Sequence, residues 1–210
     1  MIESRPTADE SWRRGTLRPP AAAGSPTAAW LVVKIGGSLL SRPGWPTLLS
    51  ALLDELGPRP CRIVVGGGAI VDGLRAVDRA APQPAAVVHE LAIDAMRLTA
   101  RLAAVALGLP LETAANRAVP LAVLDAPAWL AETGWTARLP AGWEVTSDTI
   151  AACVGVTCGG GLLLVKSVPP PPCRGGDPVA AAAAAGWVDG HFPVAAARLA
   201  EIGWAAPGRA

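Results

Sequence analysis

Two lysines carry the chemistry of this sequence, each at the C-terminal end of an apolar run: Lys34 in LVVKIGGS and Lys166 in LLLVKS. An ammonium beside glycine amides suits a polyphosphate, because its charge offsets phosphate charge and side-chain-free backbone lets N–H groups approach the oxygens. A second lysine from another strand could hold a transferring phosphoryl group from the opposite side. The pair points to phosphotransfer chemistry. The turn Gly36-Gly37-Ser38 lies just after Lys34, and a glycine triplet, Gly66-Gly67-Gly68, follows a second apolar run. Three consecutive amides can form a concave anion nest. The triplet does not extend to the dinucleotide fingerprint G-x-G-x-x-G, since Val71 stands at the third glycine position, and no Walker-type G-x-x-x-x-G-K-[ST] occurs.

Between the two lysines in sequence lies WEVTSDTIAA. Ser147 reads as an N-cap and Asp148 as a first-turn acid favoured by the helix dipole. The functional alternative places Asp148 between the lysines, fixing their ammonium groups or meeting Mg²⁺ through phosphate-bound waters. An acceptor with an amine wants a carboxylate and one with a phosphate wants an arginine or an amide nest. Asp94 on a long helix and Arg75 after the glycine triplet are the candidates, although a solvated helix face explains either. His89 reads as a packed or surface histidine, and Trp187, near Asp189 in GWVDGHF, as packing.

These residues need elements to position them. Trp30–Ile35, Arg62–Val65, Leu121–Leu124 and Leu162–Val165 read as buried strands. Helices are expected over Trp45–Leu56, Ala69–Ala80 and Ala85–Leu107, from Ser147 through Ala152, in an alanine-rich segment after the prolines, and near Val194–Ile202. Strands alternating with helices predict an α/β fold with a largely parallel sheet and helices on both faces. Residues 1–28, rich in Pro, Ala and Arg, read as a flexible extension, and 29–210 as one domain.

The composition narrows the function classes. The 210 residues are 51% hydrophobic and 17% charged with a formal net charge of +1, so no basic field exists to hold nucleic acid. Cys61, Cys153, Cys158 and Cys173 form no CxxC pair and no metal-ligand spacing with histidine, and read as ordinary thiols of a reducing cytosol. No apolar run approaches the ~20 residues that cross a bilayer. The expectation is a cytoplasmic protein with no protein-held metal site.

The segments VVKIGGS, VVGGGAIVDGLR, HELAIDAMRLTARLAA, WEVTSDTIAA and LLLVKSV, in that order, resemble the amino acid kinase superfamily, which includes the aspartate, acetylglutamate, uridylate and isopentenyl phosphate kinases. The chain is most similar to the short kinases that phosphorylate (5-(aminomethyl)furan-3-yl)methyl phosphate in methanofuran-type cofactor synthesis. The resemblance spans about residues 30–204. It implies a three-layer αβα sandwich, ATP as donor with Mg²⁺, a small phosphomonoester as acceptor, and a homo-oligomer. Carried over by residue, Lys34 and Lys166 stabilise the transferring group and Asp148 organises them. Gly36, Gly37, Ser38 and Ser167 meet the nucleotide phosphates, while Gly66, Gly67, Gly68, Arg75 and Asp94 serve the acceptor.

One departure stands out. After Lys166-Ser167-Val168 the resemblance implies an Asp-Gly turn towards the nucleotide, but here four prolines, Pro169 to Pro172, favour an extended segment without donors. Adenine or ribose contacts would then be rebuilt, with Arg174 and Asp177 as candidates. A carboxylate or nucleoside monophosphate acceptor, or a non-catalytic oxyanion-storage or regulatory role on the same scaffold, are the alternatives.

Overall fold

The computed structural model describes residues 12–20, 30–115, 119–170, 172 and 176–208. Three apolar runs become the parallel centre of the sheet: β2 (Leu31–Ile35), β3 (Cys61–Val65) and β6 (Gly161–Val165), every residue of which is buried. Burial on both faces explains why these strands read as continuous apolar runs rather than alternating ones. With β1 (Trp12–Arg18), β4 (Leu111–Glu112), β5 (Leu121–Leu124) and β7 (Ile202–Pro207), they form a seven-stranded sheet in the order β1-β7-β6-β2-β3-β5-β4. Every pairing is parallel except β1 on β7.

Helices cover both faces. α1 (Trp45–Glu55) and α3 (Ala85–Leu107) bury Leu48, Leu49, Leu52, Ala100 and Ala103 against Leu31, Val33, Ile35, Ile63 and Leu163. α2 (Gly68–Ala80) packs on α3. On the opposite face lie α4 (Ala126–Thr133), α5 (Ser147–Thr157), α6 (Pro178–Ala184) and the short α7 (Phe192–Ala195). Their Trp129, Ile150, Val154, Val179 and Phe192 meet Val32, Val64, Leu162, Leu164 and Trp204. The α3 boundaries match the sequence expectation because Pro84 precedes the helix and Gly108, at φ 65°, supplies the left-handed residue that ends it.

The register of the three central strands decides where the chemistry falls. Ile35 pairs with Val65 on one side and with Val165 on the other. Residues 36, 66 and 166 therefore leave the sheet at the same rim, its carboxyl edge. Strand alternation sends Lys34 to the face of Val32, and Lys166 to the face of Leu162 and Leu164, which is the face α5 covers.

Some sequence expectations fail. The segment read as a flexible extension contains β1, an edge strand that buries Trp12 and Leu17 while Arg13 and Arg14 are exposed. The helix expected near Val194–Ile202 is only α7 and a 3-10 turn, Ala196–Arg198, and the chain then extends as β7 between β1 and β6. There Trp204 and Ala205 are fully buried against the sheet core. α4 and the two-residue β4 were not expected. The cap of α5 is Thr146, whose hydroxyl accepts from the Asp148 amide, and not Ser147.

Candidate active site

α5 begins at the carboxyl rim, and its first turn carries Asp148 between the two lysines. Lys166 Nζ donates to Asp148 Oδ2 at 2.6 Å, and Lys34 Nζ lies 2.8 Å from Oδ1. Lys34 and Asp148 are both 4% exposed. Oδ1 is buried, with the Lys34 ammonium at ion-pair distance and no further donor on it. Lys166 also donates to the Trp187 carbonyl at 3.0 Å and sits 5.7 Å from the centroid of the Trp204 ring.

Two cations and one anion leave the cluster one positive charge in excess. Burial alone would raise the Asp148 pKa, yet the flanking Lys34 and Lys166 hold it below the ordinary carboxylate value. Lys166 is pushed down to about 8, first by burial and then by the Lys34 charge, with Asp148 offsetting part of both. An anion arriving here would complete the charge balance.

The glycine turns interlock beside this cluster. A Cβ on Gly37 would collide with Gly68 N and Gly66 O, and one on Gly66 would stand 2.7 Å from Ser147 Oγ. Close approach of two backbones is why glycine is needed here. The Gly36 amide donates to Val165 O at 2.7 Å and the Gly66 amide to Ile35 O at 2.9 Å. Both N–H groups belong to the sheet, which corrects the expectation that Gly36 and Gly66 offer theirs to phosphate. The amides of Gly37 and Ser38, opening a 3-10 turn, and of Gly68, opening α2, have no intrahelical acceptor. Ser38 Oγ and Ser167 Oγ stand 3.1 Å apart and tie the loop after β2 to the loop after β6.

A cavity of about 240 Å³ opens next to the glycine turns, with Gly37, Ser38, Gly66, Gly67 and Gly68 in its wall. Arg75 and Asp72 from α2, His89 and Met96 from α3, and Trp143 also line it. The Arg75 guanidinium lies 4.9 Å from the Trp143 ring centroid and donates to Asp72 at 3.0 Å. Trp143 in turn donates its indole N–H to Asp78 at 3.1 Å. His89 Nδ1 is 3.1 Å from Gly142 O, so it carries the proton and donates. Arg75, a sequence candidate for the acceptor, is thus placed in the cavity wall. Asp94 is not: it lies on an outer face of α3 with Arg97 3.5 Å away and takes no part in the lining.

Other expectations move as well. Asp177 caps α6 by accepting from the Val179 amide at 3.0 Å, which is a structural role. Arg174 and Cys173 lie outside the described residues. Cys61, Cys153 and Cys158 are free thiols, and burial pushes Cys153 up to about 12, which leaves it protonated and inert. Among the described residues no group of three or more His, Cys, Asp or Glu could hold a metal ion, and no helix is long and apolar enough to cross a membrane.

The residue that sequence reasoning missed is Asp189. Its carboxylate accepts from the amides of Thr146, Thr149 and His191 and from the hydroxyls of Thr146 and Thr149, at 2.6–3.1 Å. It thereby pins the start of α5, which carries Asp148, to the loop whose Trp187 carbonyl holds Lys166. The signal in the sequence was two threonines flanking Ser147-Asp148, which invite a shared acceptor.

No protein-family model and no curated protein matches the sequence. Among solved structures, the chain is similar to uridylate kinase from Archaeoglobus fulgidus, at a TM-score of 0.50 and 16% identity over 69% of this chain and 68% of that one. The two share a fold. Aspartate kinase from Synechocystis (TM-score 0.46, 16% identity, 66% of this chain and 28% of that one) and UMP kinase from Ureaplasma parvum (0.44, 14%, 67% and 68%) are also similar. The mostly parallel seven-stranded sheet between helices is therefore the α/β fold found in a uridylate kinase.

Proposed function

We propose that this protein is an ATP-dependent phosphotransferase acting on a small phosphomonoester to give a diphosphate. The observation that carries the reading is the buried Lys34–Asp148–Lys166 cluster, set at the carboxyl rim beside two glycine turns. Open α/β sheets bind ligands at that rim. Phosphoryl transfer asks little covalent help of a protein; positioning and charge stabilisation do most of the work.

In this reading Lys34 and Lys166 neutralise charge on the equatorial oxygens of the transferring group, and Asp148 holds both ammonium ions in place. An oxygen of the acceptor phosphate forms the new bond to the γ-phosphorus, the bond from that phosphorus to the bridging oxygen breaks, and ADP leaves with the electron pair. The attacking oxygen is already anionic near neutral pH, so no general base is needed. Mg²⁺, when bound with the nucleotide, supplies further neutralisation of phosphate charge. With no carboxylate cluster among the described residues, it would rely on the phosphates and water, and Asp148 is the carboxylate that would meet one of those waters.

The acceptor reading rests on the cavity. At about 240 Å³ it is smaller than the ~300–1,000 Å³ usual for drug-sized ligands. That size favours a single small ring over a nucleoside. Arg75, braced by Trp143 and Asp72, offers a cation to a phosphate. Within the resemblance described above, (5-(aminomethyl)furan-3-yl)methyl phosphate fits these features, which would place the reaction in one-carbon cofactor metabolism of the cytoplasm.

ADP release from Mg-ATP tests the reading with a panel of acceptors: the aminomethylfuran phosphate, nucleoside monophosphates and amino acid carboxylates. Turnover with a small phosphomonoester is the expected result. Turnover only with a carboxylate or a nucleotide would replace the acceptor. Tight nucleotide or oxyanion binding without turnover anywhere in the panel would overturn catalysis in favour of storage or regulation.

A further inference from the structure

His89 is buried, only 5% exposed, yet it forms part of the cavity wall. Its Nδ1 donates to the Gly142 carbonyl, which fixes the tautomer: in the neutral ring Nε2 carries a lone pair and no proton. Nε2 has no protein partner among the described residues and is not sealed off, so it faces the cavity. The helix itself sets how far this nitrogen lies from the chemistry. α3 passes the glycine turns at Ala95, whose Cβ a side chain on Gly67 would meet at 3.8 Å. His89 is six residues earlier, about 9 Å along the helix axis. Ala92 and Ile93 line the stretch between. Asp72, the only acid in the lining among the described residues, is bonded to Arg75. The cavity thus runs from the glycine rim, past an apolar wall, to one unclaimed hydrogen-bond acceptor.

We propose that His89 determines which acceptor is taken: its Nε2 accepts a hydrogen bond from an N–H or O–H group that the acceptor carries at the end opposite its phosphate. The inference rests on the phosphotransfer reading for which end bears the phosphate, and on the cavity alone for the donor. An amine end was expected to want a carboxylate. Asp94 lies outside the lining and Asp72 is engaged, so the imidazole is the acceptor this site offers. A compound of the same size ending in a methyl group would bury Nε2 without a partner, and a buried acceptor left unsatisfied costs more than the bond gains when made. The site therefore selects chiefly by rejecting apolar ends. The bond to Gly142 holds the ring for this task, and Gly142 precedes Trp143, which braces Arg75.

Calorimetric titration of the full chain, without nucleotide, tests this with three compounds matched in ring and phosphate: (5-(aminomethyl)furan-3-yl)methyl phosphate and its analogues with hydroxymethyl or methyl in place of aminomethyl. The wild type is expected to bind a donor-bearing compound ~10-fold or more tighter than the methyl one, and the order of amine and hydroxyl names the donor. His89→Asn keeps an N–H near the place of Nδ1 and puts nothing at Nε2, so the ratio should fall to within a few-fold of one. His89→Gln, whose amide oxygen reaches towards Nε2, should recover part of it. A residue that merely packs would weaken all three compounds alike and leave the ratio unmoved. A wild-type ratio near one, an unmoved ratio in His89→Asn, or no binding of any of the three would overturn the inference. ADP release with the same compounds reads phosphotransfer separately. Selective binding without turnover would keep the role of His89 and overturn catalysis, and turnover without selectivity would do the reverse.

Discussion

Asp148→Asn is the most informative single change, because it keeps shape and removes one charge. The carboxylate lies 2.8 Å from one ammonium and 2.6 Å from the other in a site closed to solvent. Removing the counter-charge from such a buried arrangement costs about 3–5 kcal/mol. For a domain of this size that corresponds to a fall in Tm of roughly 6–20 °C. The pH dependence adds a second signature. Lys166 titrates near 8 in the folded protein against 10.5 as its ordinary value. Between those values the unfolded chain binds more protons, so stability rises as pH rises through the folded value. Asp148 offsets the burial and the Lys34 charge that depress Lys166, so without it the rise begins at lower pH. The variant should therefore be most impaired at neutral pH and partly recover in alkali. Thermal melts from about pH 6 to about pH 9.5 read the stability effect. The pH profile of kcat/KM reads the charge: in the wild type it should fall as Lys166 deprotonates through about 8, and in the variant the alkaline limb should move to lower pH. A Tm within about 2 °C of wild type together with an unmoved limb would refute the reasoning.

Lys34→Ala and Lys166→Ala should each slow ADP release by at least ~10²-fold, the scale of losing a charge clamp on a transition state; rates within a few-fold of wild type would remove them from the mechanism. Asp189→Ala should cost about 2–4 kcal/mol of unfolding free energy in urea titration and lower kcat more than it changes the acceptor KM. Asp189→Asn should recover part of both, and a purely structural role would leave kcat unchanged per folded molecule. Arg75→Ala should raise the acceptor KM by about 10-fold with kcat nearly unchanged, as expected for loss of a charge-assisted phosphate contact.

The part of the site legible in the sequence is the part carried by local pattern. Lys34 and Lys166 ended apolar runs next to glycine or serine, and parallel strands in register must deliver such residues to one rim. The long α3 was legible from its flanking Pro84 and Gly108. What stayed hidden depends on contacts between distant segments. β1 buries only two large side chains and exists because β7 offers it a partner edge. IGWAAP carries no strand-length alternation of its own, so β7 is fixed by burial of Trp204 rather than by propensity. Asp189 could not be read as a hub without knowing that its loop returns to α5. Asp94 misled because an acid within a predicted helix reveals its face only when the packing of that helix is known. The commitment of the Gly36 and Gly66 amides to the ladder likewise follows from pairing, which no single turn reveals.

The antiparallel seating of β1 on β7 has a temporal implication. The first strand to be synthesised can be paired only once the last one has emerged. At typical rates of 5–20 residues per second, translation leaves the Trp12–Arg18 segment waiting roughly 10–40 s beside a nascent chain that cannot yet receive it. One margin of the sheet is therefore sealed late, once β7 is available to receive β1. Until then the strand now lying between β1 and β6 has no outer neighbour, and any intermediate captured at that stage should be the form of the protein most prone to aggregate.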